Sequence, residues 1–166
     1  MQPRRTVAGG AFVRRPLSMT RPADDRAVKG QVAMLKAADD IRPRVLLVED
    51  EILVAMGVEA LLAASGVEVV GVASSAEEAV RLAESEHPDL ALMDIRLKGK
   101  RDGVDAALEM RRKTGIRCIF LTAYTGAATR ARATPAEPLG WVSKPCATES
   151  LVPMVKAAVA ELKRKH

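Results

Sequence analysis

Five polar residues that can do chemistry follow short apolar runs of the sequence. They comprise three carboxylates, a hydroxyl and an ammonium group: Glu49, Asp50, Asp94, Thr122 and Lys144. Ionised carboxylates are costly to bury, so a chain that ends apolar runs on them usually gives them a partner or a task. Three carboxylates that lie close together repel one another by an energy on the order of 1 kcal/mol per pair at the dielectric constant of a protein surface. One lysine cancels one of these charges, and the other two call for a divalent cation.

Hard oxygen ligands in a small site suit Mg²⁺ best. A carboxylate beside such a cation can take a phosphoryl group as an aspartyl phosphate, and this transfer mainly needs positioning and charge neutralisation around the phosphate oxygens. Mg²⁺ on Glu49 and Asp50 would supply one clamp and the Lys144 ammonium a second, while the Thr122 hydroxyl would donate a hydrogen bond. The sequence has no pattern typical of a serine triad, a zinc site or a glycine-rich phosphate loop.

These side chains meet only if the fold gathers them, and from residue 44 onward two patterns alternate. Short apolar runs indicate strands at 45–48, 67–73, 89–93, 116–123 and 140–143. Amphipathic segments indicate helices at 52–65, 76–85, 104–114, 126–134 and 148–165. This alternation predicts an α/β fold, a doubly wound parallel sheet with helices on both faces. Open sheets of this kind place their sites outside the carboxyl ends of the strands, so we expect the five polar residues to share one cleft.

Individual residues mark several helix ends. Gly66 and Gly115 are expected to end the helices that precede them. Ser75, with Glu78 three residues later, has the pattern of a capping box. Pro153 fits the last helix only near its first turn, because proline has no backbone N–H to donate.

Residues 1–42 form a basic N-terminal extension ahead of the domain predicted at 43–166. They hold nine Lys or Arg and four Asp, so the formal net charge of +5 lies entirely in this extension. Because glycine and proline interrupt it and large apolar residues are few, we expect it to be largely disordered, although the apolar spacing at 23–38 is compatible with a short helix. It has one aromatic residue and no nucleic-acid-reading motif, so a solvated tail is favoured over a nucleic-acid contact. Met19 and Met34 are alternative translation starts.

The sequence gives no sign of a membrane or a secreted protein. No apolar run approaches the roughly 18 residues of a membrane span, and Arg14 and Arg15 interrupt the place where a secretory signal would be apolar. The two cysteines, Cys118 and Cys146, lie far apart, which is typical of small hydrophobic residues in a reducing compartment. We therefore expect a cytoplasmic protein.

Five short motifs occur in order along residues 44–166: VLLVEDE, LALMDIRL, DGVDAA, FLTAY and VSKP. Together they closely resemble the receiver domains of two-component response regulators, whose fold is a flavodoxin-like five-stranded sheet of order 2-1-3-4-5. The resemblance implies that Asp94 is the phosphoacceptor and that Mg²⁺ is its cofactor. It implies a phosphohistidine on a sensor histidine kinase or a histidine phosphotransfer protein as the donor, and a downstream protein as the target.

The resemblance also implies a role for each site residue. Four groups would hold the metal: Glu49, Asp50, Asp94 and the backbone carbonyl of Arg96. Thr122 and Lys144 would contact the phosphoryl group. Trp141 holds the place of the family's switch aromatic, more often Tyr or Phe, and would repack together with Thr122 on phosphorylation. Lys98 stands where the family usually has proline, so the path of its loop is open.

The sequence leaves the mode of action open. Only 22 residues follow Lys144, enough for one helix, so we expect a stand-alone receiver that signals through protein–protein interaction and catalyses only its own phosphoryl transfer and dephosphorylation. One alternative is a degenerate receiver that binds partners without phosphorylation. Another is an aspartyl-phosphate phosphohydrolase of the haloacid-dehalogenase type, which would have a second aspartate where this chain has Arg96. A third is a nucleic-acid binder that acts through the basic extension.

Overall fold

The computed structural model of the chain describes residues 42–123, 126–145 and 148–164, and within them five strands alternate with five α-helices. The strands are β1 (Arg44–Val48), β2 (Glu68–Ala73), β3 (Leu90–Asp94), β4 (Cys118–Thr122) and β5 (Gly140–Ser143). The helices are α1 (Ile52–Ala64), α2 (Ala76–Glu86), α3 (Gly103–Thr114), α4 (Ala127–Ala133) and α5 (Thr148–Arg164), and a 3₁₀ turn at Thr134–Ala136 follows α4. The predictions for residues 1–41, including the helix at 23–38 and the two alternative starts, lie outside the described residues.

The strands form one parallel sheet in the order β2-β1-β3-β4-β5, which confirms the predicted order 2-1-3-4-5. The central strands β1, β3 and β4 are almost entirely buried. Their burial follows from the helices that cover both faces of the parallel sheet. The edge strands β2 and β5 remain partly exposed. In the register of the sheet, Asp94 lies beside Leu121 and Thr122 lies beside Ser143. The strands that carry the candidate residues therefore end at the same edge.

Successive side chains of the central strands point to opposite faces, and each face packs against its own helices. On one face, the strand residues Leu46, Met93 and Phe120 belong to the same core as the α2 and α3 residues Val80, Val104 and Met110. On the other face, the strand residues Leu47, Leu92 and Leu121 belong to the same core as the α1 and α5 residues Leu62, Leu151 and Val155. Burying each large aliphatic or aromatic side chain contributes roughly 1.5–3 kcal/mol, so the two cores hold the carboxyl ends of the strands in place.

The helix ends confirm the predicted glycine stops and revise the predicted capping box. Gly66 after α1 and Gly115 after α3 adopt left-handed conformations, with φ of 77° and 75°. The Ser75 hydroxyl accepts a hydrogen bond from the N–H of Glu78 at 3.2 Å, as expected for the cap of α2. The Glu78 carboxylate, however, accepts from the N–H of Ser74 at 2.9 Å rather than from that of Ser75, so the reciprocal half of the box is displaced by one residue.

A complete capping box, which the sequence analysis did not identify, begins α3. The Asp102 carboxylate accepts hydrogen bonds from the N–H groups of Val104 and Asp105 at 3.0 Å each, and the Asp105 carboxylate accepts from the N–H of Asp102 at 3.2 Å. Asp102 also pairs with Arg132 of α4. The cap and the ion pair fix the end of the loop that follows β3.

The largest error in a predicted boundary concerns β4, and the expected position of Pro153 in the last helix is also wrong. β4 is shorter than the predicted 116–123, because its pairing with β3 begins only where Cys118 lies beside Ala91. Pro153 lies in the second turn of α5 rather than near the first. The proline ring is exposed there, and the missing N–H removes one intrahelical hydrogen bond without breaking the helix.

Candidate functional site

Three carboxylates meet at the carboxyl edge of the sheet. Glu49 and Asp50 directly follow β1, and Asp94 is the last residue of β3. Each offers an oxygen, and these three oxygens all lie within 4.8 Å of one another. Glu49 and Asp94 are buried, and Asp50 is partly buried. The fold therefore brings these three carboxylates together at one edge of the sheet.

Lys144 connects two of these carboxylates. Its Nζ lies 2.5 Å from Glu49 Oε2 and 2.9 Å from Asp94 Oδ2. Burial alone would lower the pKa of Lys144, but the hydrogen bonds that its ammonium donates to Glu49 and Asp94 outweigh burial and hold the pKa above its ordinary value of 10.5. Lys144 is therefore a fixed positive charge beside Asp94 at neutral pH.

Backbone groups orient the carboxylates further. Asp94 Oδ1 accepts a hydrogen bond from the N–H of Arg96 at 3.2 Å, and Glu49 Oε1 accepts one from the N–H of Glu51 at 3.2 Å. Both bonds close short loops over the strand ends. With Lys144 on the second oxygen, each oxygen of the Asp94 carboxylate has a donor, which fixes the rotamer of the side chain.

Asp50 has a different partner. Lys98, in the loop between β3 and α3, places its Nζ 3.4 Å from Asp50 Oδ2. In the sequence, Lys98 is recognisable only as a departure from the family pattern. Its position four residues after the candidate acceptor indicates a cation near the site, but the direction of its side chain depends on the path of the loop.

Thr122 lies at the end of β4, between the strands that carry Asp94 and Lys144. Its side chain is buried, and its carbonyl accepts a hydrogen bond from the N–H of Lys144 at 2.9 Å. Thr122 therefore fixes the backbone at Lys144, and the predicted contact of its hydroxyl with a phosphoryl group stays a prediction.

Trp141, on β5, lies between an aromatic ring and a cation. Its ring stacks on Phe120 of β4 with centroids 4.6 Å apart and an angle of 25° between the planes. On α4, the Arg130 guanidinium carbon lies 4.8 Å from the centroid of the Trp141 ring. The ring is only partly buried, so it bridges the sheet and the exposed surface of α4. Its switch role stays a prediction.

Gly103, the first residue of α3, touches the acceptor strand at a point that the sequence analysis missed. Its N–H donates to the carbonyl of Ile95 at 2.9 Å. A Cβ built on Gly103 would lie 1.8 Å from the carbonyl oxygen of Asp94. Only glycine allows this approach between helix and strand.

Comparison with known proteins identifies the family and the fold. A family model described as the response regulator receiver domain matches residues 45–156. The chain belongs to the response regulator receiver family. Receivers act in two-component signalling, through histidine kinases or phosphotransfer proteins and downstream targets, and they bind Mg²⁺ at an acidic cluster such as this one.

Curated relatives support the same assignment. The chain is 38% identical to the transcriptional regulatory protein PdtaR of Mycobacterium tuberculosis over 120 residues. This matched segment covers 72% of this chain and 58% of PdtaR. It is 42% identical to the phyllosphere-induced regulator PhyR of Methylorubrum extorquens over 88 residues. This matched segment covers 52% of this chain and 33% of PhyR. The chain thus spans 58% or less of the length of these two relatives, and the expectation of a stand-alone receiver stays a prediction.

Solved structures share the fold. The signal receiver domain of a modulated diguanylate cyclase from Desulfovibrio desulfuricans G20 superposes with a TM-score of 0.71 at 36% identity, over 75% of this chain and 99% of that one. A CheY-like receiver from Methanospirillum hungatei JF-1 gives a TM-score of 0.69 at 24% identity, over 75% of this chain and 99% of that one, and shows the fold alone. None of the helices in the described ranges combines the length and the apolar content that crossing a membrane requires.

Proposed function

We propose that this receiver accepts a phosphoryl group on Asp94 from a phosphohistidine of a sensor histidine kinase or a histidine phosphotransfer protein. A carboxylate oxygen of Asp94 attacks the phosphorus, the new O–P bond forms as the N–P bond breaks, and the imidazole leaves with its electron pair and takes up a proton. The observation that carries the proposal is the trio of carboxylate oxygens within 4.8 Å of one another, with the Lys144 ammonium on Asp94.

The donor set fits Mg²⁺. Carboxylate oxygens are hard ligands, and two lysines beside three carboxylates leave a residual negative charge at the site. We assign Glu49, Asp50 and Asp94 as metal ligands, with the Arg96 carbonyl as a fourth. Bound Mg²⁺ would neutralise the charge on the phosphoryl oxygens, as in other phosphoryl transfers. Lys144 would orient the acceptor and contact the transferred group, and Thr122 would donate a hydrogen bond to it.

The donor protein would dock on an exposed apolar face of α1. Three large hydrophobic residues are exposed on its first turns, Ile52 (75%), Leu53 (83%) and Met56 (60%). A groove of about 560 Å³ runs between α1 and the end of β5 and is lined by Leu53, Val58, Leu61, Lys144 and Pro145. Because Lys144 belongs both to this groove and to the acid cluster, a protein seated there would lie beside the acceptor. We therefore assign the face to the phosphohistidine-bearing partner.

Signalling would follow from a shift between two packings at the same edge. A phosphoryl group on Asp94 would draw Thr122 and Lys144 toward it. Trp141 lies on β5, which pairs with the strand of Thr122 and leads into Lys144, and its ring is held by stacking rather than by full burial, so we expect it to change its packing. A downstream protein would bind the altered surface.

Intact mass spectrometry tests the acceptor. The protein is incubated with Mg²⁺ and acetyl phosphate, and we expect one added phosphoryl group on the wild type and none on Asp94→Asn. Wild-type protein that gains no mass with either acetyl phosphate or a phosphorylated donor protein would favour the degenerate receiver. Sustained release of phosphate from a phosphomonoester would favour the phosphohydrolase instead.

A second experiment separates docking from chemistry. Leu53→Asp should slow transfer from a phosphorylated donor protein and leave the reaction with acetyl phosphate unchanged. Ala63→Asp is the matched control, because it adds the same charge at an exposed position on the last turn of the same helix. Equal rates of protein-to-protein transfer in the two variants would refute the docking face while leaving Asp94 as acceptor intact.

A further inference from the structure

The acidic cluster has a second lysine that the phosphoacceptor chemistry does not use. Lys98 Nζ lies 3.4 Å from Asp50 Oδ2. Asp50 is the carboxylate that Lys144 leaves uncovered, because the Lys144 ammonium pairs with Glu49 and Asp94. Across residues 42–123, 126–145 and 148–164, no other basic side chain lies within 4.0 Å of the Asp50 carboxylate.

We propose that Lys98 is an internal counter-ion of the metal site, which pairs with Asp50 in the absence of metal and must leave Asp50 when Mg²⁺ binds. Lys98 then sets the affinity of the site for Mg²⁺ below the value that the carboxylates alone would give. This inference rests on the proposed function, because it takes the acidic cluster as the Mg²⁺ site. It assigns to Lys98 a positioning role rather than a contact with the reacting atoms.

The two lysines differ in how easily they can be displaced. The Lys144 side chain is 16% exposed and its partners are buried, so its removal would uncover two buried carboxylates. The Lys98 side chain is 81% exposed, whereas the Asp50 side chain is 8% exposed. Because the lysine is exposed and the two atoms are 3.4 Å apart, the pair resembles a surface salt bridge, which favours the paired state by about fivefold or less. Lys98 can therefore return to solvent at small cost, which leaves the Asp50 carboxylate to the cation.

The backbone is constrained on both sides of Lys98. Gly99 has a φ of 128°, a conformation that side-chain-bearing residues rarely adopt. A few residues later, the Asp102 cap holds the end of the loop against α3. The loop is thus constrained on the C-terminal side of Lys98, while the Asp94 carboxylate holds its start through the N–H of Arg96.

The expected effect follows from charge. Binding of Mg²⁺ must break an exposed ion pair and then tolerate a nearby ammonium, and both contributions weaken binding. Removing the ammonium with Lys98→Met should therefore tighten Mg²⁺ binding by roughly threefold to tenfold at low ionic strength. Because salt screens exposed charges, the gain should shrink as KCl rises toward roughly 1 M.

Isothermal titration calorimetry with Mg²⁺ alone tests the inference, with no phosphoryl donor present. The full chain is compared in four forms: wild type, Lys98→Met, Lys98→Arg and Lys100→Met. Lys98→Arg keeps the charge and should stay within about twofold of the wild type. Lys100→Met is the matched control, since Lys100 is an exposed lysine of the same loop with no ion pair to any described residue.

A thermodynamic measurement supplies an independent readout. Mg²⁺ should raise the midpoint of chemical unfolding more in Lys98→Met than in the wild type at the same Mg²⁺ concentration, since tighter binding to the native state stabilises it more. Unchanged or weaker Mg²⁺ binding by Lys98→Met, or an equal gain in Lys100→Met, would overturn the role of Lys98. Failure of the wild type to bind Mg²⁺ at all would instead overturn the proposed metal site, so the two failures are distinguishable.

Discussion

Gly103→Ala should destabilise the domain through a single backbone contact. The added Cβ would lie 1.8 Å from the Asp94 carbonyl oxygen, 2.9 Å from the Asp94 carbonyl carbon and 3.1 Å from the Cα of Ile95. All three atoms belong to the backbone, so no side-chain rotation relieves the contact. Since Cβ atoms essentially never approach other atoms within 3.0 Å, the start of α3 must move away from β3 by about 1.2 Å or more.

The magnitude follows from two opposing effects. Overpacking of this kind costs about 1–3 kcal/mol and sometimes more, whereas the higher helix propensity of alanine returns at most about 1 kcal/mol. We expect the free energy of unfolding to fall by about 2 kcal/mol, with a decrease in Tm of about 8 °C for a domain of this size. Because the displaced contact is the backbone of the acceptor, phosphorylation by acetyl phosphate should slow as well.

Gly57→Ala is the control, and it should change stability in the opposite direction. Gly57 lies inside α1, and a Cβ there would meet nothing within 4 Å. Alanine should therefore stabilise the helix by about 0.5–1 kcal/mol. Both variants are measured by urea unfolding monitored by far-UV circular dichroism. A Gly103→Ala protein as stable as the wild type, or two variants that shift in the same direction, would refute the argument from close approach.

Three further predictions concern the surroundings of the site. Burial alone would raise the pKa of the Asp102 carboxyl, but its hydrogen bonds with Arg132 and with the backbone outweigh burial and hold the pKa below its ordinary value of 3.8. Asp102→Asn should therefore lower stability by about 0.5–1 kcal/mol at pH 7. The difference should shrink as the pH falls below 3.8 and through the lowered pKa of the folded state, as measured by urea unfolding across that range. Arg130→Met removes the cation over Trp141 and should cost at most about 1 kcal/mol, while the emission spectrum of this single tryptophan should shift. An unaltered spectrum would contradict the contact between the Arg130 guanidinium and the Trp141 ring. Ser75→Ala removes the cap of α2 and should cost about 1 kcal/mol in thermal unfolding, whereas Ser75→Asp should retain most of the stability.

Much of the fold was predictable from the sequence because its pattern is local. Apolar runs such as 45–48 and 140–143 alternate with amphipathic segments, and parallel strands must end at one edge, so the meeting of Asp50, Asp94 and Lys144 followed without coordinates. The end of α1 at Gly66 was predictable for the same reason, since glycine adopts the left-handed conformation of a helix end whatever the tertiary packing around it.

The contacts that the sequence did not predict join residues whose approach depends on tertiary packing or on a loop path. The pairing of Lys98 with Asp50 depends on the turn at Gly99. The position of Arg130 over Trp141 depends on how α4 is rotated about its axis. The sequence of this helix, AATRARA, is short and has no large apolar residue, so it does not predict that rotation. The hydrophobic pattern of the sequence does not predict such contacts, because each depends on how other parts of the fold pack.

Asp94 shows how these levels combine in one residue. Its carbonyl is packed against Gly103, its Oδ1 accepts from the N–H of Arg96, and its Oδ2 accepts from Lys144. Two of the three constraints are backbone contacts, so they position the carboxylate without adding a charge, whereas Lys144 both positions it and adds a positive charge beside it. A substitution at Gly103 should therefore alter reactivity in proportion to the displacement of the strand end, whereas loss of Lys144 removes position and charge together. Reactivity at Asp94 thus depends on a glycine that does no chemistry as well as on a lysine that does.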